Sequence, residues 1–421
     1  MRKSINSCLI LIFLLYSIIL LNGNSVKAAG TTLPSIISSD TTLTKDGSPY
    51  NLIGPTRINS GVSLTIEAGA TLNIGTYYLQ VDGVLRSIGT ISNNAQILST
   101  LPIRMEDPKG YINFTDSCTN WNQQTGSGCI IENTLLNQTI IYVGNSTVKI
   151  NSVAINFQGN MMVDNVAVSI NGGATSVTNS IINAAVMIMG GTSSISGNKI
   201  TGGLALYGGT PTATSNNVSG GSTYIYFAKD ENRVYNTLAI GGSCSPIVSD
   251  NEIHGSIHVG DYRGYVGPAT ITDNLVYGGI TGQGNLVMTN NKIFGGISTT
   301  STNVNIQGNQ ISGSAQTGVS ISDDAVVKYN SISGFNVSLQ VTGSSTSLPT
   351  IKNNNIQNWS QYCFKNSAPN DIDASNNWWG TTDVQAIEQD IYDQTYDFNL
   401  GKVNITPILN SPDTQTPEIL P

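Results

Sequence analysis

Aliphatic and polar residues alternate along most of the chain in short runs such as "VNIQ", "GVSIS" and "VVKYNSI". Such runs, with β-branched residues at every second position, predict short half-buried strands. No helix-length pattern of apolar residues intervenes between them. An Asn followed two positions later by an aliphatic residue punctuates the runs, at Asn133, Asn151, Asn179, Asn198, Asn216, Asn232, Asn251, Asn274, Asn291, Asn309, Asn330 and Asn354, and Asn376 opens a last copy, "NNW". Gly commonly follows two residues after the aliphatic, as at Gly202, Gly220, Gly255, Gly278, Gly295, Gly313 and Gly334.

A period of this length means stacked supersecondary units. Three short strands and their turns fill roughly 18–24 residues, the size of one coil of a parallel β-helix, in which each strand pairs with the coils above and below at ~4.8 Å. The predicted fold is therefore all-β, a single-stranded right-handed parallel β-helix of roughly 14–16 coils. Asn at a fixed turn predicts a ladder in which each buried amide bonds the equivalent amide of the next coil. Propeller blades need longer repeats, and a leucine-rich consensus is absent. Near the end the period changes. Val384, Ile387 and Ile391 recur at helical spacing behind Thr382 and Asp383, either of which can cap a short helix that closes the last coil. Trp378 and Trp379 point to opposite faces if extended. One is expected to end the core stack and the other to pack under the cap, rather than both forming a sugar platform.

The "N-x-I-x-G" rungs resemble the parallel β-helix repeats of the pectin lyase-like superfamily. The stretch "SPYNLIGPTRINSGVSLTIEAGATLNIGTYYLQVDGVLRSIGT" (48–90) is similar to the opening coils of secreted microbial β-helix proteins, and 376–409 to their closing segment. The resemblance implies a fold and leaves activity open, since the superfamily holds lyases, hydrolases, periplasmic proteins and adhesins. The expected organisation is a signal peptide (1–28), a linker (29–47), the β-helix (48–380), a cap (381–410) and a flexible tail (411–421).

The first segment carries Arg2 and Lys3, then an apolar run from Cys8 to Leu21, then small residues at Val26 and Ala28. This is the pattern of a cleaved secretory signal, and the run is short of the ~20 residues of a membrane span. The expected location is secreted or at the cell surface, or periplasmic in a host with an outer membrane, with no membrane association of the mature chain. Cleavage after Ala28 removes three cations and leaves 15 Lys and Arg against 26 Asp and Glu. That balance argues against nucleic acid, which needs clustered basic residues. Cys118 and Cys129 flank a polar loop in an exported chain and are expected to form a disulfide. Cys244 and Cys363 lie about five rungs apart, roughly 24 Å at ~4.8 Å per rung. They cannot bridge, and read as small apolar residues in the stack.

Candidate chemistry concentrates between residues 229 and 263, which hold eight charges and both histidines. In "NEIHGSIHVG", read as one strand, Glu252, His254 and His258 share the face opposite Ile253, Ile257 and Val259. Asp261, Tyr262, Arg263 and Tyr265 fall in a following loop, and Tyr224, Tyr226, Lys229 and Tyr235 lie a rung or two earlier. Two readings stand. In one, the protein is a structural or carbohydrate-binding surface. In the other it is a polysaccharide lyase or glycoside hydrolase, with Glu252 or Asp261 as acid or base, Arg263 or Lys229 binding a substrate carboxylate, and Tyr224, Tyr226, Tyr262, His254 and His258 lining the groove. The hydrolase motifs of the superfamily do not occur as a set. Asp323-Asp324 lacks a downstream His, and the same charged pattern fits a solvated strand face. No metal or other cofactor is assigned. The expected partner is a polysaccharide or cell-surface glycan.

Overall fold

The computed structural model describes residues 30–100, 110–157, 166–221, 237–260, 267–301, 303–322, 324–343 and 347–418. Within them the short alternating runs become two- to six-residue strands in three parallel sheets of 15, 16 and 14 strands, here called sheets 1, 2 and 3. Each coil visits sheet 1, then sheet 2, then sheet 3, and each strand pairs in parallel with its counterparts in the coils on either side. This is a parallel β-helix. Among the described residues no helix is long and apolar enough to cross a membrane.

Inward positions stack like on like. In sheet 1, Ile182, Ile200, Val218, Ile253, Val276 and Ile293 follow one another in register and are wholly buried. Each buried aliphatic of this kind contributes about 1.5–3 kcal/mol. The column repeats the same contact at every rung, which is why the alternation survives along the whole chain.

The predicted ladder is present through eight of the expected Asn, but it starts later, at Asn198, and ends on Asn377 rather than Asn376. It runs Asn198, Asn216, Asn251, Asn274, Asn291, Asn309, Asn330, Asn354, Asn377. Each Oδ1 accepts both the backbone N–H and the side-chain Nδ2 of the preceding member, as Asn309 does from Asn291 at 2.9 and 3.0 Å. Asn133, Asn179 and Asn376 are not members. They occupy the position just before the ladder, where the backbone is left-handed (φ 46°, 51° and 58°). Asn151 ends a strand of sheet 3, Lys149–Asn151. Asn133 and Asn179 stand before Thr134 and Ser180 instead, and the Ser180 N–H bonds Asn198. Asn tolerates both the left-handed corner and the amide stack, so a count of Asn merges two roles. Asn232 lies outside the described residues. Among the described residues, the ladder passes directly from Asn216 to Asn251 across 35 residues.

The same corner holds one poorly suited residue. Tyr329 is left-handed at φ 56°, where the other coils place Asn, Asp, Ser or Gly. A bulky side chain costs roughly 1–2 kcal/mol there. Tyr329→Asn is expected to raise the urea midpoint of unfolding, by about 1 kcal/mol of stability. An unchanged or lower midpoint would show that the Tyr329 ring packs well enough to offset the corner.

Three expected boundaries change. The coils begin at Thr31–Thr32, Ile36–Ile37 and Thr41–Leu43, which pair with the next coil, so residues 31–43 are the first coil rather than a linker. These strands are only two or three residues long and expose Ile36, too brief for alternation to register. At the other end a helix forms over Val384–Gln389, with Asp383 Oδ1 accepting the N–H groups of Gln385 and Ala386 at 3.1 and 3.2 Å. Ile387 is buried, but Ile391 belongs to a strand, Ile391–Tyr392, that pairs with Phe364 and Lys365 and extends sheet 2. Trp379 is fully buried 6.5 Å from the Phe364 ring, and Trp378 is half-buried with its backbone paired to Asn354 and Ile356. Finally, residues 413–418 of the expected free tail lie against sheet 1.

Candidate functional site

Residues 252–259 do not form one strand. Glu252–His254 belongs to sheet 1 and Ile257–Val259 to sheet 2, with a corner at Gly255 and Ser256 between them. The alternation runs through the corner unbroken, so it reads as continuous while the backbone turns. Glu252 and His254 therefore face outward from sheet 1 and His258 outward from sheet 2. His258 Nδ1 lies 2.9 Å from Thr281 Oγ1 on the next rung, and burial pushes its pKa below the usual imidazole value. Asp261, Tyr262, Arg263 and Tyr265, with Tyr224, Tyr226, Lys229 and Tyr235, lie outside the described residues.

Glu252 and His254 are joined by residues that the sequence reading did not single out. Glu252 Oε1 is 3.1 Å from His254 Nε2, and Glu252 Oε2 accepts from Asn217 Nδ2 at 2.9 Å. Asn217 Nδ2 is also 3.3 Å from His254 Nε2. A proton on Nε2 would bind the carboxylate, and without it Nε2 accepts from the amide. Tyr277 Oη reaches Glu252 Oε1 at 3.5 Å. The His254 and Tyr277 rings stack at 4.8 Å and 11°, the Tyr277 and Phe294 rings at 5.6 Å and 15°, and Lys292 Nζ sits 5.3 Å from the Phe294 ring centre.

Register explains the strip. Asn217, Glu252, Leu275 and Lys292 stand in one outward column of sheet 1. His254, Tyr277 and Phe294 stand in the neighbouring column, two residues on in each strand. Aligning the repeats on the ladder would have found them, as the fourth residue of "NEIH", "NLVY" and "NKIF". In the N-terminal coils the same column holds outward Asn pairs, Asn137 to Asn156 and Asn156 to Asn183, at 3.0 and 2.7 Å. The aromatic strip therefore replaces a polar ladder over three successive rungs.

The strip is exposed: Tyr277 keeps 46% of its surface and Phe294 39%. Its ring faces are turned on one another, so a ligand meets ring edges together with a carboxylate, an amide and an ammonium. Hydrolysis of a glycosidic bond takes two carboxylates flanking it, and no second carboxylate bonds to this cluster among the described residues. Among those residues no three His, Cys, Asp or Glu side chains approach closely enough to hold a metal ion.

The cysteines divide as their surroundings dictate. Cys244 and Cys363 are buried and donate weakly to the carbonyls of Gly208 and Ile387. Burial raises both thiols, Cys244 to about 12. Cys118 and Cys129 are buried, unbonded thiols close enough to perturb one another. Cys129 Sγ donates weakly to Gly83 O at 3.6 Å, and the mutual influence of the two thiols lowers the Cys118 pKa and raises that of Cys129.

Comparison of the chain with known protein families, curated proteins and solved structures finds no match.

Proposed function

We propose that this protein is an exported parallel β-helix of the pectin lyase-like kind that binds a neutral, hydroxyl-rich glycan along the outward face of sheet 1 and does not turn it over. The observation that carries the reading is the strip of Asn217, Glu252, His254, Tyr277, Lys292 and Phe294, laid out along the helix axis on consecutive rungs. Carboxylate, amide and ammonium groups beside aromatic ring edges offer hydrogen bonds to sugar hydroxyls and apolar contact to sugar C–H groups. A rung spacing of ~4.8 Å is close to the length of one hexose, so the strip can follow a polymer. A net negative chain disfavours polyanionic glycans, and within the strip one cation balances one anion. The apolar run behind Arg2 and Lys3 supports export.

A lyase or hydrolase is the second reading, favoured by one observation, the contact between the Glu252 carboxylate and the His254 imidazole. The test is binding to a panel of neutral and uronate oligosaccharides, run beside reducing-sugar and unsaturated-uronate assays. The expected result is binding of a neutral member without turnover, weakened about tenfold or more by Glu252→Ala or Tyr277→Ala, a loss near 1.4 kcal/mol. Wild-type affinity in both variants would overturn the site. Turnover abolished by Glu252→Gln or Arg263→Ala would establish the enzyme instead.

A further inference from the structure

Sheet 1 carries its outward columns past the strip, from Lys292 to Gln310, Ser331 and Asn355 on the following rungs. Over these three rungs the face is covered by the C-terminal segment of the same chain. Asp413 makes the anchor. Its carboxylate Oδ2 accepts from Asn353 Nδ2 at 2.8 Å, its N–H donates to Asn355 Oδ1 at 2.8 Å, and its carbonyl accepts from Asn355 Nδ2 at 3.2 Å. Thr416 also meets Asn355. The segment then climbs towards the N-terminal coils, with the Pro417 carbonyl on Ser331 Oγ and the Glu418 carbonyl on Gln310 Nε2. Its effect on exposure is direct. Asn217, Glu252, Leu275, Lys292 and Gln310 are half-buried, whereas Ser331 is 1% and Asn355 3% exposed, although they face outward in the same column.

The segment thus runs along the axis, crosses rungs, and is held by side-chain amides and hydroxyls of the sheet. An extended polymer lying on the strip would continue into the same rungs one step beyond Lys292. We propose that residues 413–418 are an intramolecular strap that occupies the continuation of the glycan site, so that the full chain grips only the part of a polymer that fits between Asn217 and Lys292. The inference rests on the glycan reading for its ligand, but the strap itself does not. Amide and hydroxyl side chains that satisfy an extended peptide's carbonyls and N–H groups serve the hydroxyls of a sugar chain equally well. The strap lies outside the aliphatic core, so its release costs only these surface hydrogen bonds, roughly 0.5–1.5 kcal/mol each.

The test uses the full-length chain carrying Asp413→Pro with Thr416→Ala, which removes the anchoring N–H, the carboxylate and the Thr416 hydroxyl. Three readouts separate the possibilities. Ser331→Cys is added to both backgrounds and its maleimide labelling rate measured. A peptide of sequence SPDTQTPEILP is titrated onto each protein. Short and long neutral oligosaccharides are compared on each. Tenfold faster labelling, peptide binding to the released variant alone, and a three- to tenfold gain for long but not short oligosaccharides are the expected results. Equal labelling together with no peptide binding would overturn the strap. Peptide binding with no gain for long oligosaccharides would overturn the shared site and leave the glycan reading intact. Failure of every oligosaccharide on both proteins would sink the glycan reading, and with it the shared site, while labelling and peptide binding still judge the strap.

Discussion

Asn309→Ala is expected to cost roughly 3–5 kcal/mol, the largest effect of any substitution considered, although it removes no apolar group and touches no surface. Asn309 is wholly buried mid-ladder. Its Oδ1 is the acceptor for the Asn291 N–H and Nδ2, and its Nδ2 donates to Met288 O, Gln307 O and Asn330 Oδ1. Truncation leaves the Asn291 backbone N–H without an acceptor and strips Met288 O of its side-chain donor. Each orphaned buried group costs about 1–3 kcal/mol, and the space left by the amide adds to it. Asn309→Asp should be nearly as severe, because a carboxylate cannot donate to Met288 O or Asn330 Oδ1. Asn376→Gly is the control. It lies at the exposed left-handed corner and should stay within about 0.5 kcal/mol. Urea unfolding measures the loss, and hydrogen exchange should place it at the Asn291 and Asn330 rungs. A cost below about 1 kcal/mol for Asn309→Ala would mean the aliphatic columns alone hold the coils together.

The second large effect is redox-dependent. Cys118 and Cys129 close a small hairpin in which the Cys129 N–H bonds Thr119 O at 3.1 Å and Asn122 pairs with Ser127. The two thiols are close enough to perturb one another, and the lowered Cys118 pKa makes its sulfur the attacking thiolate. With a disulfide oxidant, Cys118 displaces one sulfur of the reagent and Cys129 then displaces the other, so two electrons and two protons leave with the reagent's thiols. Protein exported from an oxidising compartment is expected to carry this bond. Alkylation of the unreduced, denatured chain should label Cys244 and Cys363 and spare Cys118 and Cys129. Reduction should lower stability by about 3 kcal/mol, the loop-closure value for a bridge of this length. Labelling of all four before reduction would refute it.

Much of the fold was legible because it repeats. One aliphatic contact recurs at every rung, so local alternation and global architecture carry the same information. Misreadings fell where one residue type serves two conformations or where a corner hides inside an alternation. Asn133, Asn179 and Asn376 look like ladder members but hold the corner beside it. His258 looks like a neighbour of His254 but faces out of a different sheet. Within the site, Glu252 and His254 stood out by local charge. Tyr277 and Phe294 did not, because an isolated aromatic in a strand is unremarkable until the repeats are set in register. The strap was not legible at all. Gln310 meets Glu418 across 108 residues, and nothing in "SPDTQTPEILP" differs locally from a free tail.

The bond from Asn216 to Asn251 spans 35 residues, yet the one from Asn274 to Asn291 spans 17. Both climb a single step. The amide stack thus acts as a ruler that fixes height regardless of how much chain is spooled into a coil. Peptide can be added at the passage from sheet 1 to sheet 2 without shifting Asn217 relative to Glu252, or Glu252 relative to Lys292. Spacing along the face and decoration at its margin are therefore separable variables. A lineage, or a designer, can change what borders the face while keeping the pitch at which it presents its groups.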